Sequence, residues 1–249
     1  ALVETDGDMD KAIEDLRKDR AVDAVVLRVS SPGGSGQASD DIWDAVNRLK
    51  VVKPVVVSMG DYAASGGYYI AMNADHIVAE PTTITGSIGV FGGKMNFSGL
   101  FAKAGVTQHG FSRGKHSDIL SPSSDFDDDD RRVFRSFLNH FYDVFIDKAA
   151  TGRNMTPEAM HAVAQGRVWT GTQALEHGLI DSLGGLGDAV AKAADLAELG
   201  PGYDVDRLPK TKDFFEQLMD EMAQVPDASI ESRVMGQTIP TPLQEPMRI

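Results

Sequence analysis

Residues 61–83 read DYAASGGYYIAMNADHIVAEPTT and set one serine, Ser65, between two alanines and two glycines. A serine hydroxyl acts as a nucleophile only when a base lies within hydrogen-bond reach and donors face the oxyanion that its attack creates. The neighbouring residue types can supply the donors. Gly66 and Gly67 carry no side chain to obstruct a substrate, and the apolar run YYIAM after them reads as a helix. The first N–H groups of a helix lack intrahelical partners and point toward an anion. A second glycine turn, SSPGGSG at 30–36, follows another apolar run and offers the N–H groups of Gly33 and Gly34. The competing reading is structural: AASGG as a helix start chosen for close packing, and SPGG as an ordinary turn.

The base is harder to find. The six histidines are His76, His109, His116, His140, His161 and His177. The last three fall in helical text and read as surface or boundary residues, while His76 sits in a strand only eleven residues after Ser65. A lysine base needs burial to bring its amine down from an ordinary pKa of about 10.4. Lys115 lies in FSRGKHSD, a stretch too polar and glycine-bounded to be buried by local sequence. The chain has no cysteine, so thiol nucleophiles, thiolate zinc sites and disulfides are excluded. The four aspartates at 127–130 could suggest a metal, but they suit a solvated helix start, where the dipole favours negative charge. Neither a metal nor a cofactor is expected.

These residues need elements to hold them. Met9, Ala12, Ile13 and Leu16 predict a helix over 8–19, and Ile42, Val46 and Leu49 a second. AVDAVVLRV at 21–29, KPVVVSMG at 53–60 and ADHIVAE at 74–80 predict buried strands. Helices alternating with apolar strands imply an α/β fold with a parallel sheet covered by helices. The two glycine turns then fall at the same end of adjacent strands, where such sheets bind ligands. Residues 106–122 read as a strand and an exposed connection. Phe134, Phe137, Phe141, Val144 and Phe145 mark one face of a long helix. Thr156 and Thr170 cap two short helices, Gly178 ends the second, and an Ala-rich helix spans 184–199. From 201 to 249 the pattern is one amphipathic helix (Phe214, Leu218, Met222) and a peripheral tail, so the main domain is expected at 1–200.

With 37 acidic against 24 basic residues, the net charge of −13 argues against a nucleic-acid partner. No apolar run approaches the ~20 residues of a membrane span. The opening ALVETDGDMDKAI suggests a fragment or processed chain that begins almost directly in a helix.

Three blocks, VVLRVSSPGGSGQASDDIW, PVVVSMGDYAASGGYYIAMNADHIVAEPTTITGSIGVFG and GRVWTGTQALEHGLIDSLGG, together resemble the signal peptide peptidase A (protease IV) family. The resemblance runs from about residue 8 to 199. It implies the ClpP/crotonase-like fold of stacked βαβ units and peptide-bond hydrolysis by a Ser–Lys dyad. Ser65 would be the nucleophile, and the N–H groups of Gly34 and Gly66 the oxyanion donors. The family's opening strand, which precedes the first helix, is expected to be absent here, so the domain reads as a fragment lacking its first strand. Single-domain relatives carry the lysine in a block resembling G-x-x-K-D-I-x-S-P, and here RGKHSDILSP puts Ser117 in its place. The chain therefore resembles the serine-bearing C-terminal repeat of tandem members, whose lysine comes from a homologous domain or subunit. A local dyad with Lys115 and loss of catalysis stay open as alternatives. The resemblance further implies a peptide substrate such as a signal-peptide remnant, a homo-oligomer, and a bacterial envelope location at the inner membrane through a segment outside this chain. Two other functions fit less of the text: a crotonase-type enzyme acting on acyl-CoA, and a non-catalytic peptide-binding module.

Overall fold

The computed structural model describes residues 2–4 and 9–208. In chain order the elements are β1 (Leu2–Glu4), α1 (Met9–Lys18), β2 (Val25–Ser31), α2 (Gly36–Lys50), β3 (Val55–Ala64) and α3 (Gly66–Ala71). They continue with β4 (His76–Ala79), β5 (Ile84–Gly86), α4 (Ser98–Lys103), α5 (Asp128–Gly152), α6 (Pro157–Val163) and β6 (Val168–Thr170). The last are α7 (Gly171–Glu176), β7 (Ser182–Leu183), α8 (Leu186–Leu196) and β8 (Arg207–Leu208). The sheet order is β6-β5-β3-β2-β1-β8, and every pair is parallel except β5 with β6.

The long strand β3 explains the curl of this sheet. Its first half pairs with β4 (Val56 opposite His76) and its second half with β5 (Tyr62 opposite Ile84), while β2 runs along its other edge. The register between β2 and β3 shifts between Val29 and Ser31, the kind of irregularity that bends a strand. Alternation assigns the two faces. Val25, Leu27, Val29, Val55, Val57 and Met59 join the main core with residues of α1, α2, α3 and α5. Val26, Val56 and Val78 face the other way, against Ala189 and Ala193 of α8. Burial on both faces is why these strands read as unbroken apolar runs.

Several expectations need correction. A strand does precede the first helix, because Leu2–Glu4 pairs in parallel with Val26–Arg28. The sheet continues past residue 200, since Arg207 and Leu208 pair with Leu2 and Val3. Residues 106–122 contain turns and no strand. That segment lacks an apolar alternation to bury, and Val106, Phe111 and Leu120 are all exposed. The helix expected around Phe214 lies outside the described residues.

The aspartate run is a helix start. Asp127 accepts from the N–H groups of Asp129 and Asp130 at 2.8 and 2.7 Å, and Asp130 answers with a bond to the Asp127 N–H. At its other end α5 is tied down by Arg153, whose side chain is only 7% exposed. Its guanidinium donates to both carboxylate oxygens of Asp181, at 2.6 and 3.1 Å, and to the Gly178 carbonyl at 3.0 Å. Asp181 also accepts the Ile77 N–H at 2.7 Å, so one carboxylate joins α5, β4 and the end of α7. Burial pushes the Asp181 pKa up, but the hydrogen bonds and charge of Arg153 together with the Ile77 N–H outweigh it and hold the group below its ordinary value.

Arg153→Met should therefore cost roughly 3–5 kcal/mol, because it leaves a partly buried carboxylate unpaired. Since the folded pKa of Asp181 is depressed, its contribution is complete above about pH 4 and is lost as the pH falls through the folded value. Denaturant melts from pH 7 down to 3 should show the gap between wild type and Asp181→Asn closing with acid. A gap that holds constant to pH 3 would remove the ion pair as its source.

Candidate active site

Ser65 stands at the junction of β3 and α3, where the chain turns from strand to helix without an intervening loop. Its backbone has φ 51° and ψ −115°, the mirror image of an extended conformation, which an L-residue adopts only under strain. Such strain costs on the order of 1–3 kcal/mol and persists only where neighbours enforce it. The enforcement is visible. The Ser65 N–H donates to the Gly86 carbonyl at 2.9 Å, and its own carbonyl accepts the Tyr69 N–H at 2.8 Å. Two residues upstream, the buried Thr85 hydroxyl donates to the Ala63 carbonyl at 2.7 Å and binds β5 to the end of β3. The Ser65 hydroxyl makes no capping bond to its own helix.

The glycine turn after β2 closes against this serine. Gly33 has φ 99°, and a Cβ placed on it would lie 2.6 Å from the Gly66 nitrogen and 2.8 Å from the Ser65 Cβ. A Cβ on Gly66 would in turn lie 3.2 Å from the Gly34 nitrogen and 2.5 Å from the Ser39 hydroxyl. The N–H groups of Gly34 and Gly66 thus sit side by side next to Ser65. Among the described residues neither has a hydrogen-bond partner. The turn is kept open by its own bonds: Gly33 N–H donates to the Ser31 hydroxyl at 3.1 Å, and Ser35 caps α2 by accepting from Ala38 at 3.3 Å.

Two hollows meet at Ser65. One, of about 460 Å³, is walled by Phe134, Phe137, Phe141 and Phe145 of α5, with Tyr69 and Phe91. The aromatic face of α5 is therefore only partly core: Phe145 is buried, whereas Phe137 is 61% exposed and borders the hollow. The other, of about 800 Å³, is polar on its α5 and α6 side, with Arg135, Asn139, Tyr142, His161 and Gln165. Ser65, Ser87 and Gln165 all line it, and all three carry positive φ.

The candidate bases fall elsewhere. Lys115 is 74% exposed and ion-paired with Asp129, whose hydrogen bond raises the lysine pKa. It stays protonated at neutral pH and lines neither hollow. Ser117 donates to the Gly114 carbonyl within the same turn. His116 pairs with Asp130 at 2.8 Å, and His76 bonds the Ser182 hydroxyl at 2.9 Å on the far side of β4, where burial lowers its pKa. His161 is exposed, as its surface reading expects, and it is the histidine that lines the cleft. Both of its ring nitrogens are engaged, by Tyr142 Oη at 2.9 Å and the Gln165 amide at 2.8 Å. Among the described residues lining the two hollows there is no lysine. No described cluster of acidic, histidine or cysteine side chains could hold a metal ion.

The sequence profile of peptidase family S49 matches residues 47–200, more than half of the chain. The chain belongs to peptidase family S49. The S49 match spans Ser65, Gly66, the aromatic face of α5 and the Tyr142–His161–Gln165 group. Over 188 residues the chain is 43% identical to the chloroplastic serine protease SPPA of Arabidopsis thaliana, covering 75% of this chain and 28% of that protein. It is 40% identical over 232 residues to Protease 4 of Salmonella typhi, covering 93% of this chain and 37% of the relative. Protease 4 of Haemophilus influenzae is 41% identical over 187 residues, or 73% of this chain and 30% of that protein. The chain thus spans well under half the length of these S49 relatives.

Sequence reasoning missed Ser87, Arg135, Asn139, His161 and Gln165. Only Ser87, in the glycine-punctuated stretch TGSIG, carried a local signal.

Two comparisons test this geometry. Ser65→Gly should raise the stability by roughly 1 kcal/mol over Ser65→Ala, because glycine relieves the strain by more than it adds to unfolded-chain entropy. Equal melting midpoints would mean that the serine backbone is not strained. Gly33→Ala should lower stability by about 2–3 kcal/mol through its positive φ and the collision with Gly66, while Gly34→Ala, whose Cβ meets open space, should stay near wild type. Equal melting losses at 33 and 34 would contradict the tight apposition.

Proposed function

We propose that this chain carries the nucleophile of a serine peptidase of the signal peptide peptidase type, and that it cleaves short apolar peptides with a lysine supplied by another domain or subunit. The observation that carries the reading is the strained Ser65 beside the unpaired N–H groups of Gly34 and Gly66. In the proposed reaction the Ser65 hydroxyl oxygen attacks the peptide carbonyl and its proton passes to a neutral lysine amine. The two glycine N–H groups hold the oxyanion of the tetrahedral intermediate. Collapse releases the amine product with that proton and leaves an acyl-serine, which water hydrolyses with the same lysine as base.

The relatives' names, serine protease SPPA and Protease 4, support peptide hydrolysis as the chemistry. The phenylalanine-walled hollow favours an apolar side chain beside the scissile bond. Two features favour a base from outside the unit. Among the described residues no lysine lines the cleft, and Lys115 is exposed and charged. An interface would also desolvate an incoming lysine and lower its pKa, which an exposed loop cannot do. Phe91, Met95, Leu100, Phe111 and Leu120 are exposed between 91 and 120, an apolar surface suited to such an interface and to a homo-oligomer. The repeated strand–helix units and the Ser65 turn accord with a ClpP/crotonase-like fold. A bacterial envelope location is part of this reading. No described helix is long and apolar enough to cross a membrane, so attachment would use another segment.

The experiment is a peptidase assay on an apolar fluorogenic peptide, using the chain alone and the chain joined to a lysine-bearing homologous domain. The isolated chain should be nearly inactive. The joined protein should be active, should lose activity in Ser65→Ala, and should be indifferent to Lys115→Ala. Robust activity of the isolated chain that disappears in Lys115→Ala would replace the shared dyad with a local one.

A further inference from the structure

The two hollows that meet at Ser65 share Gly34, Gly89, Val90, Phe91 and Leu138 as their common floor, yet they differ in chemistry. The phenylalanine-walled side suits an apolar side chain. The larger side holds a cation. Arg135 projects from α5 into its wall, is exposed, and has no ion-pair or hydrogen-bond partner among the described residues. Asn139 follows it by one turn of α5 on the same wall, and Tyr142 and His161 continue that wall toward Gln165.

The surrounding charge makes this arginine unusual. The chain carries 37 acidic and 24 basic residues, yet among the described residues no aspartate or glutamate lines either hollow. Two of the acids at the start of α5 are already engaged, Asp129 by Lys115 and Arg132 and Asp130 by His116. The polar wall is also held in shape. His161 is bound between Tyr142 Oη and the Gln165 side chain, and the Gln165 N–H donates to the same Tyr142 oxygen at 3.2 Å. An acidic protein has thus kept its cleft free of acid and placed one unneutralised guanidinium in it. The planar fork of arginine matches a carboxylate with two parallel hydrogen bonds.

We infer that Arg135 is a specificity residue that binds a carboxylate of the peptide lying in the polar hollow, so that this cleft selects an apolar residue on one side of Ser65 and a carboxylate on the other. The inference rests on the proposed reading of Ser65 as a peptidase nucleophile. The carboxylate has two possible sources, the free C-terminus of a short peptide or an acidic side chain. A free terminus would make the products of an earlier cleavage better substrates than the chains they came from.

Binding tests this without turnover. Fluorescence anisotropy with the Ser65→Ala chain compares one apolar peptide as the free C-terminal acid, as the C-terminal amide, and as the amide with a glutamate near its end. A carboxylate-bearing peptide should bind on the order of tenfold more tightly than the neutral amide, with the advantage shrinking as salt rises. The advantage should vanish in Arg135→Gln, persist in part in Arg135→Lys, and survive in Arg113→Gln, whose arginine lines neither hollow. Preference for the free acid identifies the terminus, and preference for the glutamate peptide identifies the side chain. Equal affinities for all three peptides, including no measurable binding, overturn the inference, as does a preference that outlasts Arg135→Gln. Failure of the peptidase reading would appear separately, as cleavage by the protein joined to a lysine-bearing homologous domain that persists in Ser65→Ala.

Discussion

The mirror-image backbone of Ser65 is the constraint around which the other parts are arranged. A strained residue at the end of a strand would relax unless both of its neighbours were immobile. Here the Gly86 carbonyl holds its N–H, the first turn of α3 holds its carbonyl, and the turn at Gly33 presses against its Cβ. These supports come from β5, α3 and the loop after β2, so the serine conformation depends on the curl of the sheet that brings three elements to one point. The parallel pairing of β3 with both β2 and β5 over Ala63 and Ala64 produces that convergence. The hydroxyl is left facing the cleft, with no capping bond to α3.

Much of this was legible in the sequence because it is encoded locally. Apolar runs bounded by turn residues marked β2, β3 and β4. Thr156 and Thr170 marked their helix starts, and both do accept the expected N–H, from Ala159 and Gln173. The position of Ser65 between a strand and a glycine-opened helix was equally plain. What could not be read was produced by distant contacts. A two-residue strand such as β8 has no periodicity of its own and forms because β1 offers an edge. His161 read as a surface residue and is exposed, but nothing near it in sequence tells of Tyr142, nineteen residues earlier, holding its ring beside the cleft. The aromatic stripe on α5 signalled burial correctly for Phe145, but periodicity does not distinguish a core from a cleft wall, and Phe137 belongs to the wall.

Charge completes the picture at larger scale. The acidic residues are spent on helix starts and surface pairs, such as the Asp127–Asp130 capping box and the Lys148–Asp40–Tyr69 contact, where Lys148 also lies over the Trp43 ring at 3.7 Å. Burial pushes the Asp40 pKa up, yet the bonds from Lys148 and Tyr69 hold it below its usual value. This lysine is bound to Asp40 beside Tyr69 of α3 and lines neither hollow. Such placements leave Arg135 as the one aspartate, glutamate, lysine or arginine among the described residues that line the cleft.

The claim that Ser65 is a nucleophile awaiting a base is tested most directly by its reaction with a serine-directed phosphonate, followed by intact mass and peptide mapping across a range of pH. The account predicts a single adduct on Ser65, slow for the isolated chain at neutral pH and faster as the pH rises, and accelerated at neutral pH when a lysine-bearing homologous domain is present. An adduct on another serine, such as Ser39 or Ser87, or rapid labelling of the isolated chain at neutral pH, would contradict it.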